Sequence, residues 1–269
     1  MVVRGDDMGL GHDINLGIIK AHTEGILTSA SLMAPAPYFD EAVELCRQHP
    51  KLAAGLHTTL MATTPICPIL PADQVPSLVA PDGYFYCCYE DFVKAQPKIE
   101  EVEKEIRAQI KKALDTRLRF VYIDWHMSSG GGDARADIAA LYPRLAREYR
   151  LLFTQDVDGQ SCGAKYVSAP LESWHVKRME DGIMVTWHNV SLSEERKAKF
   201  REKIRTLLPG TWLFIVHPGL YMAQQRGTVE LLCSAQVKEI IRQRGIHLLS
   251  FADLWQRKVG TQPGDPWTR

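Results

Sequence analysis

The chain has 269 residues, of which 45% are hydrophobic and 24% charged, and this composition is typical of an ordinary globular protein. Its 32 basic and 32 acidic side chains balance, so nothing indicates a polyanion-binding surface, and nucleic acid is not an expected partner. No apolar run reaches the roughly 18–20 residues of a membrane span, and no signal-peptide pattern is present, so no membrane partner is expected.

The first predicted element is a short strand, Val2–Arg4, at the start of the chain. Two adjacent carboxylates, Asp6 and Asp7, follow it and precede a glycine turn. The carboxyl ends of parallel strands are where α/β enzymes assemble their sites. Two like charges so close together are costly unless a cation or a shared proton relieves them. The pair therefore indicates chemistry.

Six more short runs predict strands farther along the chain. Each is apolar or rich in β-branched residues, as a strand buried on both faces should be. These predicted strands are Ser29–Ala34, Ala53–Leu60, Phe120–Trp125, Leu151–Thr154, Trp212–His217 and His247–Ser250.

Helical patterns occupy the intervals between the strands. A first helix is expected to begin near His12, Ser193 is a predicted N-cap, and Gly245 is a predicted helix stop. In the longest pattern, apolar residues recur at spacings of three and four, which predicts one buried face. The other predicted helices are Asp40–Gln48, Glu90–Thr116, Asp133–Glu148, Ser193–Leu208 and Thr228–Arg244.

Strands that alternate with helices predict a parallel α/β protein. About seven such units favour a (β/α) barrel of the TIM type, irregular and with about seven strands, over an open sheet. We expect a single domain over residues 1–258, with a Pro-rich loop at about 61–90 and a C-terminal surface tail at 259–269. Loops of that length in compact domains tend to be lids or binding loops.

Nearly every predicted strand ends in a side chain that can bind a metal or transfer a proton. In addition to the two acids of the first strand, these are His57, Asp124 with His126, and His217. In a barrel such ends meet at one rim. One acid and two imidazoles fit a divalent transition ion that keeps positions open for water and substrate. A second acid could then serve as general base and another histidine as acid, the layout of metal-assisted hydrolysis of an amide or ester.

Several motifs, taken in order, resemble those of the YdjC-like (ChbG/HpnK) carbohydrate deacetylases. Each motif is weak alone, but their order is kept over essentially the whole chain. The resembling segments are DDMGL at 6–10, NLGI at 15–18, GILTSASLM at 25–33, GLHTTL at 55–60, PSLV at 76–79, DGYF at 82–85, RAQI at 107–110, IDWH at 123–126 and VHPG at 216–219.

The resemblance implies a β/α-barrel-like fold, one divalent metal ion and removal of N-acetyl groups from acetylated amino sugars. Carried over to this chain, the metal ligands would be Asp7, His57 and His126. Asp6 would be the general base, and His217 would be the acid. Zinc or magnesium is the first expectation for the ion, and the ligand set also tolerates manganese, cobalt, nickel or iron.

Further residues near these motifs concern the support of the site and the substrate. Asp124 is expected to orient a ligand, and Trp125 would either stack on a sugar face or pack in the interior. Arg4 stands where the family usually has a small or amide residue, and Ser128 stands where it usually has a further histidine. The glycine run Gly130–Gly132 then follows. These departures put the identity of the sugar in doubt more than the reaction.

Two alternatives stay open beside the deacetylase. One is a phosphoesterase with the same ion, although Arg4 is the only motif cation that would favour it. The other is a sugar-binding relative without turnover. The expected partner is a small acetylated sugar, and a homodimer is compatible because such barrels often pair. The cytoplasm is the default location, an exported form stays open, and the six cysteines are expected to be structural thiols.

Overall fold

The computed structural model describes residues 1–127, 135–154, 162, 164–167, 175–179, 182–186 and 191–260. Within these residues, seven strands form one sheet in the order β5-β4-β3-β2-β1-β9-β6, and all neighbours are parallel. Two more strands, β7 and β8, pair antiparallel. The strands are β1 Val2–Met8, β2 Ser29–Leu32, β3 Ala53–Thr58, β4 Phe120–Trp125, β5 Leu152–Phe153, β6 Lys165–Tyr166, β7 His175–Met179, β8 Gly182–Thr186 and β9 Trp212–Val216.

Helices follow most strands of the large sheet, so the predicted parallel α/β class is confirmed. A short 3₁₀ helix, Pro76–Leu78, lies in the Pro-rich loop. The α-helices of the described residues are α1 His12–Thr23, α2 Phe39–Gln48, α3 Tyr89–Lys94, α4 Ile99–Asp115, α5 Ala136–Glu148, α6 Glu194–Arg205, α7 Ala223–Cys233, α8 Ala235–Gln243 and α9 Phe251–Lys258. None of these helices combines the length and apolar character that crossing a membrane requires.

The strand order resembles that of a barrel, but closure is not part of the described structure. Strands β1 to β5 follow one another across the sheet, and β9 returns beside β1 as the last strand of a barrel would. In the described part of the chain, however, β5 and β6 are the two edges and do not pair with each other. The predicted seven-stranded TIM barrel is therefore not shown, whereas the curled parallel order is.

Three predicted elements differ from the structure. The predicted strand His247–Ser250 is an extended approach to α9: its residues exchange backbone hydrogen bonds with Met1 at 2.7 and 2.9 Å instead of joining a sheet. The predicted helix Glu90–Thr116 is split into α3 and α4 because Pro97 lacks a donor and Gln96 has a φ of 50°.

The predicted helix Thr228–Arg244 is likewise two helices, α7 and α8. Ser234 ends the first and caps the second, because its hydroxyl accepts a hydrogen bond from the Val237 N–H at 3.3 Å. The predicted cap at Ser193 and the stop at Gly245 are confirmed: Ser193 accepts from Arg196, and Gly245 has a φ of 60° just after the C-cap of α8.

Two apolar layers enclose the sheet. One lies between the sheet and most of the helices, and the other lies on the opposite face, where α9 packs across the strands. Phe251 and Trp255 of α9 are buried in this second layer, and the Phe251 ring packs against Tyr122. The Phe251 N–H donates to the hydroxyl of Ser29 at 3.0 Å. Helix α9 therefore closes the sheet near the amino ends of the strands, and leaves the carboxyl ends for the polar residues.

The Pro-rich loop is bound to α4 by two buried carboxylates. Glu101 accepts hydrogen bonds from the N–H and the hydroxyl of Ser77, both at 2.8 Å. Glu105 accepts from the N–H groups of Ile69 and Leu70 at 2.9 and 3.1 Å. This stretch is thus packed on the domain, and its function as a lid or binding loop stays a prediction.

Some predicted features fall on residues outside the described set. These are Ser128, the run Gly130–Gly132 and the part of the predicted tail from residue 261 onward. The single-domain division at residues 1–258 also stays a prediction.

Gly55 lets β3 and β4 approach each other behind the polar strand ends. In the register of the two strands it pairs with Tyr122, whose buried ring lies across it, and a Cβ at Gly55 would lie 2.0 Å from that ring. The Tyr122 hydroxyl is 3.0 Å from the hydroxyl of Ser31, which fixes the ring further.

We expect Gly55→Ala to lower the free energy of unfolding by about 3 kcal/mol, because the added methyl group overlaps a ring that has no room to move. Urea unfolding followed by circular dichroism measures this. The control is Gly11→Ala, where the nearest atom to the new Cβ is the movable Asp13 Oδ1 at 2.9 Å. Its cost should stay below about 1 kcal/mol. Equal losses at both positions would contradict the expectation.

Candidate active site

A bulge at the end of β1 brings two consecutive carboxylates to one pocket. On a regular strand, neighbouring side chains point to opposite faces. The pairing of β1 with β2 shifts register between Gly5 and Met8, and Asp7 adopts a φ of 68°. Such a left-handed backbone is uncommon for residues other than glycine and occurs at functional sites. As a result Asp6 and Asp7 both lie in the pocket, and both are buried.

Asn15 fixes the turn that follows the two acids, a function that the sequence patterns did not assign. Its side-chain oxygen accepts a hydrogen bond from the N–H of Gly9 at 2.7 Å, and its amide donates to Glu41 at 2.6 Å. Gly9 itself has a φ of 99°. The bulge is therefore supported by α1 and α2 as well as by the sheet.

Three ligand-type atoms converge beside the bulge. The Asp7 Oδ1 atom lies 2.9 Å from His126 Nδ1 and 3.4 Å from His57 Nε2. The two imidazole nitrogens lie 3.3 Å from each other. His57 belongs to β3, whereas His126 follows β4 directly. The structure thus brings together side chains that are far apart in the sequence.

The spacing and chemistry of these atoms fit a divalent cation. Ligands at about 2.1 Å from an ion lie about 3.0 Å apart at right angles and about 3.4 Å apart in a tetrahedron. Among the described residues, no donor meets the buried Asp7 Oδ1 in hydrogen-bonding geometry, although two imidazoles lie close to it. A buried carboxylate oxygen without a donor is expected where a cation is the missing partner.

Asp124 lies behind His57 and sets the tautomer of its ring. The Asp124 Oδ1 atom is 2.6 Å from His57 Nδ1, and because a carboxylate only accepts, Nδ1 carries the hydrogen. The lone pair of the neutral ring is then on Nε2, which faces Asp7. The hydroxyl of Ser31 donates to the other Asp124 oxygen at 2.8 Å. This geometry suits the orienting function predicted for Asp124.

Arg4 is fully buried and lies between the other two carboxylates of the pocket, Asp6 and Asp124. It donates to both oxygens of Asp6, at 2.6 and 2.8 Å, and lies 2.6 Å from Asp124 Oδ2. Its remaining nitrogen donates to the hydroxyl of Thr154 at 2.8 Å. The sequence did not predict the contribution of Thr154, which lies 150 positions away.

The pocket carries an excess of negative charge. Among the residues just described, three carboxylates face one guanidinium, so two charges are uncompensated while the histidines are neutral. Burial alone lowers the pKa of His57, but Asp124 and Asp6 raise it to about 10. Burial opposes ionisation of Asp7, yet His126 and His57 hold the pKa of Asp7 well below its usual value. The pocket therefore attracts positive charge, as a proton or as a cation.

His217 follows β9 and is half-buried at the same edge of the sheet. Its positive form lowers the pKa of both Asp6 and Asp7, which places it within electrostatic reach of them. The turn after it is held by a close approach of two backbones, since a Cβ at Gly17 would lie 2.6 Å from the Cα of Gly219. Helix α1 thereby sets the position of the His217 turn.

Trp125 lies on the outer side of β4. Its ring packs against Tyr142 and Phe153, with ring centroids 4.9 and 5.5 Å away. This arrangement favours the packing interpretation of Trp125 over contact with a sugar.

Comparison with known proteins shows similarity over most of the chain. Residues 1–243 match the family described as YdjC-like protein. A carbohydrate deacetylase of Brevibacillus brevis is 36% identical over 262 residues, which cover 94% of this chain and 99% of that protein. A carbohydrate deacetylase of Enterococcus faecalis is 30% identical over 265 residues, with 94% and 97% covered.

A crystal structure of a protein from Enterococcus faecalis is also similar to this chain. It belongs to a protein named as a cellobiose-phosphate cleavage protein and is 27% identical to this chain, with a TM-score of 0.74. The superposition covers 94% of this chain and 97% of that one.

We expect Asp7→Asn to weaken binding of one Zn²⁺ per chain by at least about 100-fold, since losing even an outer partner of a metal ligand typically costs about 10–100-fold. Asparagine tolerates the left-handed backbone, so the bulge should persist. Titration calorimetry of the metal-stripped protein measures the affinity. The control is Asp115→Asn at the exposed end of α4. Unchanged Zn²⁺ affinity in Asp7→Asn would contradict the assignment.

Proposed function

This chain belongs to the family of YdjC-like proteins, as its ordered motifs predicted, and from that membership we propose that it is a metal-dependent hydrolase that deacetylates an N-acetylated amino sugar. The names of the relatives support a carbohydrate substrate and cleavage of an amide C–N bond. The observation that carries the proposal is the convergence of Asp7, His57 and His126 beside a second carboxylate. Zinc or magnesium is the first candidate for the ion.

Asp7, His57 and His126 would hold the ion, and Asp124 would keep His57 in the ligating tautomer. When bound, such an ion polarises the acetyl carbonyl and lowers the pKa of a nearby water towards neutrality. An ion held by three protein ligands would keep positions for water and substrate.

Asp6 is the proposed acceptor for the proton of the attacking water. Its Oδ2 atom lies 4.0 Å from His57 Nε2, so it borders the ligand cluster. Arg4 donates to both Asp6 oxygens, and each oxygen keeps a second lone pair for a further hydrogen bond. Burial raises the pKa of Asp6, whereas Arg4 and His57 lower it, and its net pKa lies below the usual value. Asp6 is thus ionised at neutral pH, as a proton acceptor must be.

His217 is the proposed acid that completes the reaction. Once the water oxygen has bonded to the acetyl carbon, the C–N bond breaks, and the sugar nitrogen needs a proton to leave as an amine. His217 supplies that proton from the β9 side of the pocket, opposite β3 and β4 in the sheet order. Acetate and a free amino sugar are the products.

The test is acetate release from N-acetylglucosamine, its di- and trisaccharide, and a phosphorylated disaccharide. We expect release with Zn²⁺ or Mg²⁺, loss on chelation, and a fall in kcat of about 100- to 10,000-fold in Asp6→Asn with bound metal retained. Asp115→Asn serves again as the control. Acetate release that survives complete metal removal, or none from any of the sugars, would contradict the proposal.

The assignment of His217 makes a separate prediction. His217→Gln should lower kcat by about 100-fold on an N-acetyl sugar, because the amine leaves poorly without a proton. On an aryl acetate ester the loss should be less than about tenfold, since a phenolate leaves without one. Steady-state kinetics on both substrates measure the difference. Equal losses on amide and ester would contradict an acid function for His217.

A further inference from the structure

We propose that Arg4 is a positioning residue that divides two adjacent carboxylates into different tasks. It holds Asp6 as the proton acceptor and keeps Asp6 away from the cation, so that Asp7 alone of the pair serves as ligand. The acceptor task of Asp6 rests on the proposed function. The choice of ligand does not, and it is measured without any substrate.

The pocket offers a cation two alternative sets of ligands. Among the described residues, one set is Asp7, His57 and His126, and the other is Asp6, His57 and Asp124. Both sets use His57, and all members of both are buried. One histidine cannot serve both sets in the same way. A further residue must therefore determine which set binds the cation.

Of the two sets, the second is the one that Arg4 contacts in the described part of the chain. Its guanidinium engages both oxygens of Asp6 and lies 2.6 Å from Asp124 Oδ2. A cation there would have to displace these bonds and sit beside a fixed positive charge. No contact of Arg4 with Asp7 is described, and Asp7 Oδ1 is the atom without a donor in hydrogen-bonding geometry. The guanidinium therefore makes the Asp7 set the favoured one.

The shape of the contact also sets the orientation of Asp6. Two parallel bonds from a planar guanidinium fix the plane of a carboxylate, which a lysine ammonium does not do. Arg4 is in turn fixed by Thr154, which follows β5, and has no exposed surface. The remaining lone pairs of Asp6 therefore have defined directions.

The decisive experiment replaces Arg4 in the Asp7→Asn variant, in which the favoured ligand set has already lost its carboxylate. In Asp7→Asn, binding of Co²⁺ should be weak because Arg4 occupies the other set. In the double variant Arg4→Gln/Asp7→Asn, Co²⁺ affinity should rise at least tenfold above that of Asp7→Asn, because Asp6 and Asp124 become available. Calorimetry of the metal-stripped proteins measures both. A merely structural function of Arg4 predicts a further loss of affinity, not a gain.

The matched control is Arg144→Gln in the same Asp7→Asn background. Arg144 also makes a two-bond contact with one carboxylate, Glu103, but on exposed helices. The Arg144→Gln/Asp7→Asn variant should therefore bind Co²⁺ no better than Asp7→Asn. Arg4→Lys/Asp7→Asn keeps the positive charge and should likewise show no gain in Co²⁺ affinity. A folded Arg4→Gln/Asp7→Asn protein whose Co²⁺ affinity is no higher than that of Asp7→Asn overturns the proposal.

A single variant covers the case in which the double variant does not fold. Asp6→Asn should show the visible absorption bands of the wild-type Co²⁺ protein, since Asp6 is not a ligand, whereas Asp7→Asn should not. An Asp6→Asn spectrum with altered bands overturns the proposal. Failure of acetate release in the wild type with these Co²⁺ results intact would instead reject the proposed function alone.

Discussion

The structure depends on the burial of three carboxylates, Asp6, Asp7 and Asp124, in one pocket with a single guanidinium, which contacts two of them. Burying a charge is costly unless it is paired, and Arg4 compensates only part of the negative charge of Asp6, Asp7 and Asp124. The remaining charge is what makes the pocket receptive to a cation. Removing water from the same groups also strengthens each interaction that they make. One constraint thus links the stability of the sheet centre to the chemistry at its edge.

A layer of buried polar side chains behind His57 connects the candidate site to the packing of the sheet. Ser31 of β2 bonds to Asp124 of β4, and Asp124 bonds to His57 of β3, so three neighbouring strands are tied at one level. Below it, Tyr122 lies across Gly55 and contacts Phe251 of α9. The orientation of the His57 ring is therefore determined by buried side chains behind it. Packing and hydrogen bonds of this kind restrict the rotamers of the side chains that they support.

Much of this candidate site could be predicted from the sequence, because its polar residues stand at the ends of recognisable apolar runs. His57 lies near the end of the apolar strand β3 and His126 directly follows β4, and the ends of parallel strands share one edge. The bulge at Asp7 could not be predicted, since it depends on how β1 pairs with β2. Nor could the contact of Arg4 with Thr154, which joins residues 150 positions apart. Helix ends were missed where periodicity continued across Pro97, and barrel closure rested on a count of strands alone.

The left-handed backbone at Asp7 narrows the range of amino acids that this position can accept in descendants of the chain. Glycine, asparagine and aspartate adopt a φ of 68° at the lowest cost, and of these only aspartate is negatively charged. Aspartate is therefore the one of these three residues that would offer a cation a charged ligand. A lineage that loses metal dependence could replace Asp7 with asparagine or glycine at little cost to the backbone. Either residue at this position would identify such a lineage from sequence alone.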